Sequence, residues 1–259
     1  IQALEDGGTI VEFDDELLPI EGVYIPDHNL RAALKNMLND LNENLNENLN
    51  LKRDRQRAED ADEDTGEAEI IISAEELASI TVLSEGYFQD QGIVDLTGLE
   101  YCINVIELAM PRNQISDLTP LANLTQLQVL RLGQNQVASL APLANLTNLR
   151  RLRVARNDIS DISGIENLIN LEDINLYENQ VTDLSPLAGL TNLRELNLYN
   201  NQISNITPLA NLTNLNQLEL ASNPLIGSTS MSIILAFEDS GVYVDYDEML
   251  YIPDANLLA

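Results

Sequence analysis

The residues in this chain that could do chemistry are few. One histidine, His28, and one cysteine, Cys102, occur in 259 residues. There is no Gly-x-Ser-x-Gly elbow, no phosphate-binding glycine loop and no His-x-x-x-His pair. A single cysteine forms no disulfide within the chain. Asp60, Asp62 and Asp64 imitate the start of a calcium loop, but the glycine, Gly66, falls seventh rather than sixth and Ile71 stands where the closing glutamate belongs. No catalytic residue, metal ligand or cofactor is therefore expected, and the chain reads as no enzyme. Binding chemistry remains. Between Asp117 and Asp158 there is no acidic residue, but Arg131, Arg150, Arg151, Arg153 and Arg156 are all there. An arginine fork can hold carboxylates or sulfates bidentately. Tyr177 and Tyr199 follow, and tyrosine supplies flat contact area at low entropic cost.

These side chains hold fixed positions in a repeat. An asparagine returns every 22 residues, at Asn113, Asn135, Asn157, Asn179, Asn201 and Asn223, without insertion or deletion. Around each stands one frame, such as Leu127-x-x-Leu130-x-Leu132-x-x-Asn135-x-Val137, then Leu140 and Pro142-Leu143. A short fixed period means a solenoid, because no single coil can cover its own core. Leu130 and Leu132 lie two apart and point to one side of a strand, so the residues between them point to solvent. Stacked strands then form a parallel sheet lining a concave face. Asparagine at the turn can both donate to and accept from backbone groups that need partners. A 22-residue coil leaves little room for a convex α-helix, and Pro120, Pro142, Pro186 and Pro208 suit short 3₁₀ or extended turns.

The register places a candidate ligand-binding set on the concave face: Arg131, Arg151, Arg153, Asp173, Asn175, Tyr177, Glu195, Asn197 and Tyr199. Two readings stand. In one, the arginines converge to hold an acidic partner beside the tyrosines. In the other, they are surface charges paired with acids on the next coil, such as Glu172 and Asp173.

The stretches "DLTPLANLTQLQVLRLGQNQV" and "DLSPLAGLTNLRELNLYNNQI" resemble the bacterial internalin-like subclass of leucine-rich repeats, with an α/β horseshoe-type solenoid. "IPDHNLRAAL" looks like the opening of an internalin-type cap. The resemblance implies a protein-recognition scaffold, secreted or displayed at the cell surface. Its expected partner is a protein or acidic glycan.

Composition narrows this further. Thirteen basic residues against 42 acidic ones give a net charge of −29, which repels nucleic acid and anionic membrane. No apolar run approaches the roughly 20 residues of a membrane-spanning helix.

In order, residues 1–22 resemble the tail of a preceding module: "ALEDGGTIVEFDDELL" from Ala3 is similar to "AFEDSGVYVDYDEML" from Ala236. A helical N-terminal cap is expected over 23–76, with Asp27 as N-cap, a stripe of Leu30, Leu34, Met37, Leu38 and Leu41, and a polar insertion over 43–69. Ser73 and Glu76 form a capping box opening a short helix. Repeats follow over 77–225, one worn and six regular. In the worn coil Gly86 replaces a leucine and Gln91 the asparagine. A small C-terminal cap is expected over 226–248, from "SMSIILAFEDSG" and "VYVDY". "YIPDHNL" at Tyr24 recurs as "YIPDANL" at Tyr251, so 249–259 reads as the next cap. His28 becomes Ala255 in that copy, which argues against a shared catalytic role. These near-copies point to a tandem array with a module of roughly 230 residues. The alternative function is accordingly structural: end-to-end modules building a surface stalk, sheath or layer, with neighbouring copies as partners.

Overall fold

The structure, a computed structural model, describes residues 22–49 and 72–247. Most of the expected upstream tail and polar insertion, the imitation calcium loop and the restarted cap lie outside them.

A short strand β1 (Gly22–Val23) leads into helix α1 (His28–Leu49). Strand β2 (Ile72–Ser73) pairs antiparallel with β1. Helices α2 (Ala74–Ser79) and α3 (Glu85–Phe88) flank strand β3 (Val82–Leu83). One strand per coil follows: β4 (Glu107–Ala109), β5 (Val129–Arg131), β6 (Arg151–Arg153), β7 (Asp173–Asn175), β8 (Glu195–Asn197) and β9 (Gln217–Glu219). Helix α4 (Gly227–Asp239) and strand β10 (Tyr243–Asp245) end the described chain. Strands β3 to β10 form one eight-stranded parallel sheet in sequence order. Its register sets Leu108, Leu130, Leu152, Ile174, Leu196 and Leu218 side by side, all buried. Each buried leucine contributes roughly 2 kcal/mol.

The asparagines join coil to coil. Asn157 Oδ1 accepts from the Val137 N–H at 2.9 Å, while its Nδ2 donates to the Leu132 and Val154 carbonyls at 3.0 Å each. The same pattern recurs at Asn135, Asn179, Asn201 and Asn223. Immediately before each asparagine stands a residue with positive φ: Arg112, Gln134, Arg156, Glu178, Asn200 and Ser222. None is glycine, so every coil accepts a left-handed residue that costs of order 1 kcal/mol or more.

The convex side carries no α-helix in the regular coils. Short 3₁₀ turns occupy Thr119–Leu121, Ala141–Leu143, Ser185–Leu187 and Thr207–Leu209, each around the expected proline.

The worn coil departs from the repeat register, and one expectation on α1 needs correction. In the worn coil the 22-residue register would put the strand at residues 85–87. Instead Val82 pairs with Glu107 and Leu83 with Leu108. Gly86 cannot fill a core position, so Leu83 fills it, and α3 takes up the slack before Phe88 is buried. The spacing recovers at Asp90, whose φ is +58° like its counterparts. On α1, Leu30, Leu34 and Met37 are buried as expected, but Leu41 is half exposed because the helix has by then left the core.

Asp27 ties α1 to the first coil. Its Oδ1 caps the helix by accepting from Leu30 N–H at 2.9 Å, and its Oδ2 accepts from Val94 and Asp95 N–H at 2.7 and 3.0 Å. Burial pushes its carboxyl up, but hydrogen bonds from the Asp95, Leu30, Val94 and Asn29 amides outweigh that and hold it below its ordinary value.

Strand β10 continues the repeat sheet, pairing parallel with β9 from Tyr243 against Gln217 to Asp245 against Glu219. The left-handed Gly241 makes the turn from α4 into it.

Candidate functional site: the concave face

The alternation within each three-residue strand places the outward side chains. Val129 and Arg131 flank buried Leu130, Arg151 and Arg153 flank Leu152, and Asn175, Asn197 and Glu219 follow on successive strands. Arg131 and Arg153 are register partners on adjacent strands, as the sequence spacing requires. Their guanidinium groups are already occupied. Arg131 pairs with Glu107 on the preceding coil. Arg153 donates through Nε and Nη2 to Asp173 Oδ2, at 3.0 and 2.6 Å. Arg150, at the margin, meets Glu172 at 3.2 Å. Of the three candidate arginines, only Arg151 has no hydrogen bond or ion pair with a described residue. The pairing of arginines with acids on neighbouring coils is thus the arrangement the geometry adopts. Asp173, expected to face a ligand, is itself buried beneath Arg153.

The aromatic part of the face is more organised than its spacing alone implied. The rings of Tyr177 and Tyr199 stack with centroids 5.2 Å apart and planes 25° from parallel. Arg156 lies over the Tyr177 ring, 5.3 Å from its centroid. It also donates through Nε to Glu178 Oε2 at 2.8 Å, and Tyr177 Oη donates to Glu178 Oε1 at 2.7 Å. The Tyr177 hydroxyl, together with Arg156, holds the Glu178 carboxyl below its ordinary value against partial burial. Asn175 and Asn197 Oδ1 accept the Tyr177 and Tyr199 N–H groups at 3.0 Å each. The Asn197 amide also donates to Glu219. Glu195 is exposed without a described partner.

The spacing set neither Arg156 nor Glu178 among the candidate ligand-binding residues. The missed signal was their place: both stand immediately before a repeat asparagine, one coil apart, where the positive φ brings their side chains together beside Tyr177.

The remaining reactive group is closed off. Cys102 is fully buried, and burial, with the Glu100 charge adding to it, pushes its thiol up to about 12. Among the described residues no cluster of three histidine, cysteine or acidic side chains could hold a metal ion. No described helix is long and apolar enough to cross a membrane.

The chain matches a leucine-rich repeat model (two copies) over residues 147–189 and 191–232. In fold it is similar to an internalin (inlF) from Listeria monocytogenes, at 29% identity and a TM-score of 0.68 over 86% of this chain and 56% of that one. This is an internalin-like leucine-rich repeat protein. An internalin C2 from the same organism aligns at 28% identity and TM-score 0.54, covering 86% of this chain and 94% of its own. A leucine-rich repeat protein of Leptospira interrogans aligns at 28% identity and TM-score 0.53, over 57% of this chain and 38% of that one. No curated protein matches the sequence. The internalin-like chain spans about half the length of the inlF structure. Solenoids of this class are typically protein-interaction modules, generally without enzymatic activity.

Proposed function

We propose that this internalin-like chain is a recognition module at the cell surface or outside the cell, whose concave face binds a protein partner. Tyr177 and Tyr199 are the anchor, and Arg151, which has no partner among the described residues, meets a partner carboxylate. The single observation that carries this reading is the tyrosine stack, in which Arg156 and Glu178 hold the Tyr177 side chain and Asn175 and Asn197 hold the backbone N–H of each tyrosine. Rigid aromatic side chains that are already ordered lose little entropy on binding, and tyrosine and arginine dominate interface hot spots.

A densely anionic glycan fits this face less well than a protein. Arg131 and Arg153 would have to release Glu107 and Asp173 to reach it. The net charge of −29 also opposes the long-range approach of any acid, so contact with Arg151 is short-ranged.

The test is a screen of extracellular proteins against the chain by surface plasmon resonance, with the hit then measured on variants. The Tyr177→Ala/Tyr199→Ala pair is expected to weaken binding about a hundredfold, the loss of a hot spot of about 3 kcal/mol. Arg151→Glu should cost on the order of tenfold. Unchanged binding by correctly folded variants would remove the concave face as the site. The second reading, a tandem structural array, is favoured by the near-copies of "YIPDHNL" and of the tail segment at the two ends of the sequence. It would then take first place.

A further inference from the structure

A polar groove of about 420 Å³ runs beside the sheet, lined by two rows of side chains on coils that precede β6 to β9. The first row is Asn170, Asn192 and Asn214, one residue type at one position of three consecutive coils. Each commits its Nδ2 to a carbonyl of the coil before: Thr147 at 2.9 Å, Ile169 at 2.8 Å and Thr191 at 2.8 Å. That fixes the amide plane, while no described residue donates to any of the three Oδ1 atoms. The groove therefore presents a ladder of acceptors at the coil spacing, about 4.8 Å at the sheet. The second row holds the Arg150–Glu172 pair at 3.2 Å, then Arg194 and Asn216, whose side chains have no partner among the described residues.

We propose that this groove binds a sugar chain rich in hydroxyls and carrying a carboxylate, of the uronic acid type. Open acceptors beside the donors of Arg194 and Asn216 select a ligand that both donates and accepts, and a hydroxyl can donate to asparagine Oδ1 while accepting from arginine. Arg194 lines the same groove, and its guanidinium fork can hold a carboxylate of that chain. The lining contains no apolar or aromatic side chain, so it offers a peptide's side chains nothing to pack against. A wholly neutral sugar would leave Arg194 unused. The groove shares no residue with the tyrosine anchor, and this inference stands or falls separately from the concave-face reading.

The whole chain is titrated with a short oligogalacturonate, its carboxyl-reduced neutral counterpart and an oligoglutamate, by calorimetry and by NMR of the side-chain amides. Oligogalacturonate should bind and shift the Asn170, Asn192 and Asn214 amide signals, with the neutral counterpart roughly tenfold weaker, the worth of one charge-assisted hydrogen bond. Arg194→Gln removes an exposed, unpartnered side chain, so the fold is retained. It should bring the acidic sugar down to the affinity of the neutral one and leave the neutral one unchanged. The Tyr177→Ala/Tyr199→Ala variant should bind both sugars like the parent. The proposal is overturned if no oligouronate binds, or if oligoglutamate binds as tightly as oligogalacturonate. It is equally overturned if Arg194→Gln weakens both sugars alike or neither.

Discussion

Asn157 is buried at 8% exposure; its Oδ1 accepts from the Val137 N–H, and its Nδ2 shares the Leu132 carbonyl with Asn135 and the Val154 carbonyl with Asn179. Truncating it leaves the Val137 N–H unsatisfied in a dry interior, which costs roughly 1–3 kcal/mol, and takes one of two donors from each carbonyl. Asn157→Ala is therefore expected to destabilise the solenoid by roughly 2–4 kcal/mol, read as a fall in the urea midpoint. Asn148→Ala is the contrast. That residue is exposed and donates once, to the Thr125 carbonyl at 2.8 Å, so water can replace it and the cost should stay within about 1 kcal/mol. Equal losses at the two positions would mean that neither burial nor the number of bonds sets the value of the ladder. The same comparison separates the two asparagine types: the ones before Val137 and its equivalents hold the fold together, and the others shape an exposed groove.

At the scale of the coil, one position is filled in two incompatible ways. Pro120, Pro142, Pro186 and Pro208 sit inside 3₁₀ turns, whereas Gly98 and Gly164 occupy the corresponding places with φ of +104° and +97°. With glycine the turn is closed differently. The Gly98 and Gly164 N–H groups donate to Glu100 and Glu166 carboxylates two residues on, at 2.7 and 2.6 Å. A Cβ on Gly164 would lie 2.8 Å from Ala141 Cα, in backbone that cannot easily give way. Gly164→Ala is thus expected to cost about 1–3 kcal/mol, from strain at positive φ and the clash together. Gly189→Ala, with open space around it and an ordinary φ, should be neutral or slightly stabilising. Thermal melts of the two variants check this. If Gly164→Ala melts with the parent, the coil has rebuilt itself as its proline-bearing neighbours do.

The whole molecule carries 42 acidic against 13 basic residues. Four arginines form ion pairs among the described residues: Arg131, Arg150, Arg153 and Arg156, with Glu107, Glu172, Asp173 and Glu178 respectively. All four join residues of different coils, yet as partly exposed pairs each contributes only about 0–1 kcal/mol. Repulsion among the remaining acids acts over the full solenoid at low salt, where the screening length is about 30 Å, and shrinks to about 8 Å at physiological ionic strength. Raising salt from the first condition to the second should therefore raise Tm by several degrees, the relief of repulsion exceeding the weakening of the pairs. A Tm that falls with salt would show that the inter-coil pairs outweigh the net charge.

The architecture was legible in the sequence because a repeat states the same physical requirement many times. Period-2 leucines, a turn asparagine every 22 residues and prolines where no helix could fit each fixed one surface of the coil, and six copies left no alternative register. The membership of the concave face followed from strand alternation alone. What the side chains do there did not follow. Arg131 and Arg153 stand where the spacing put them, but whether they face a ligand or a neighbouring acid depends on carboxylates that sit beside them only once the coils stack. Likewise, the worn coil kept its core residues but moved its strand three places, because packing needs a leucine at a point in space, not at a sequence offset. Periodicity determined the backbone, since each coil must bury the same stripe. Partner choice among long charged side chains was decided by distances across coils, which no single repeat contains.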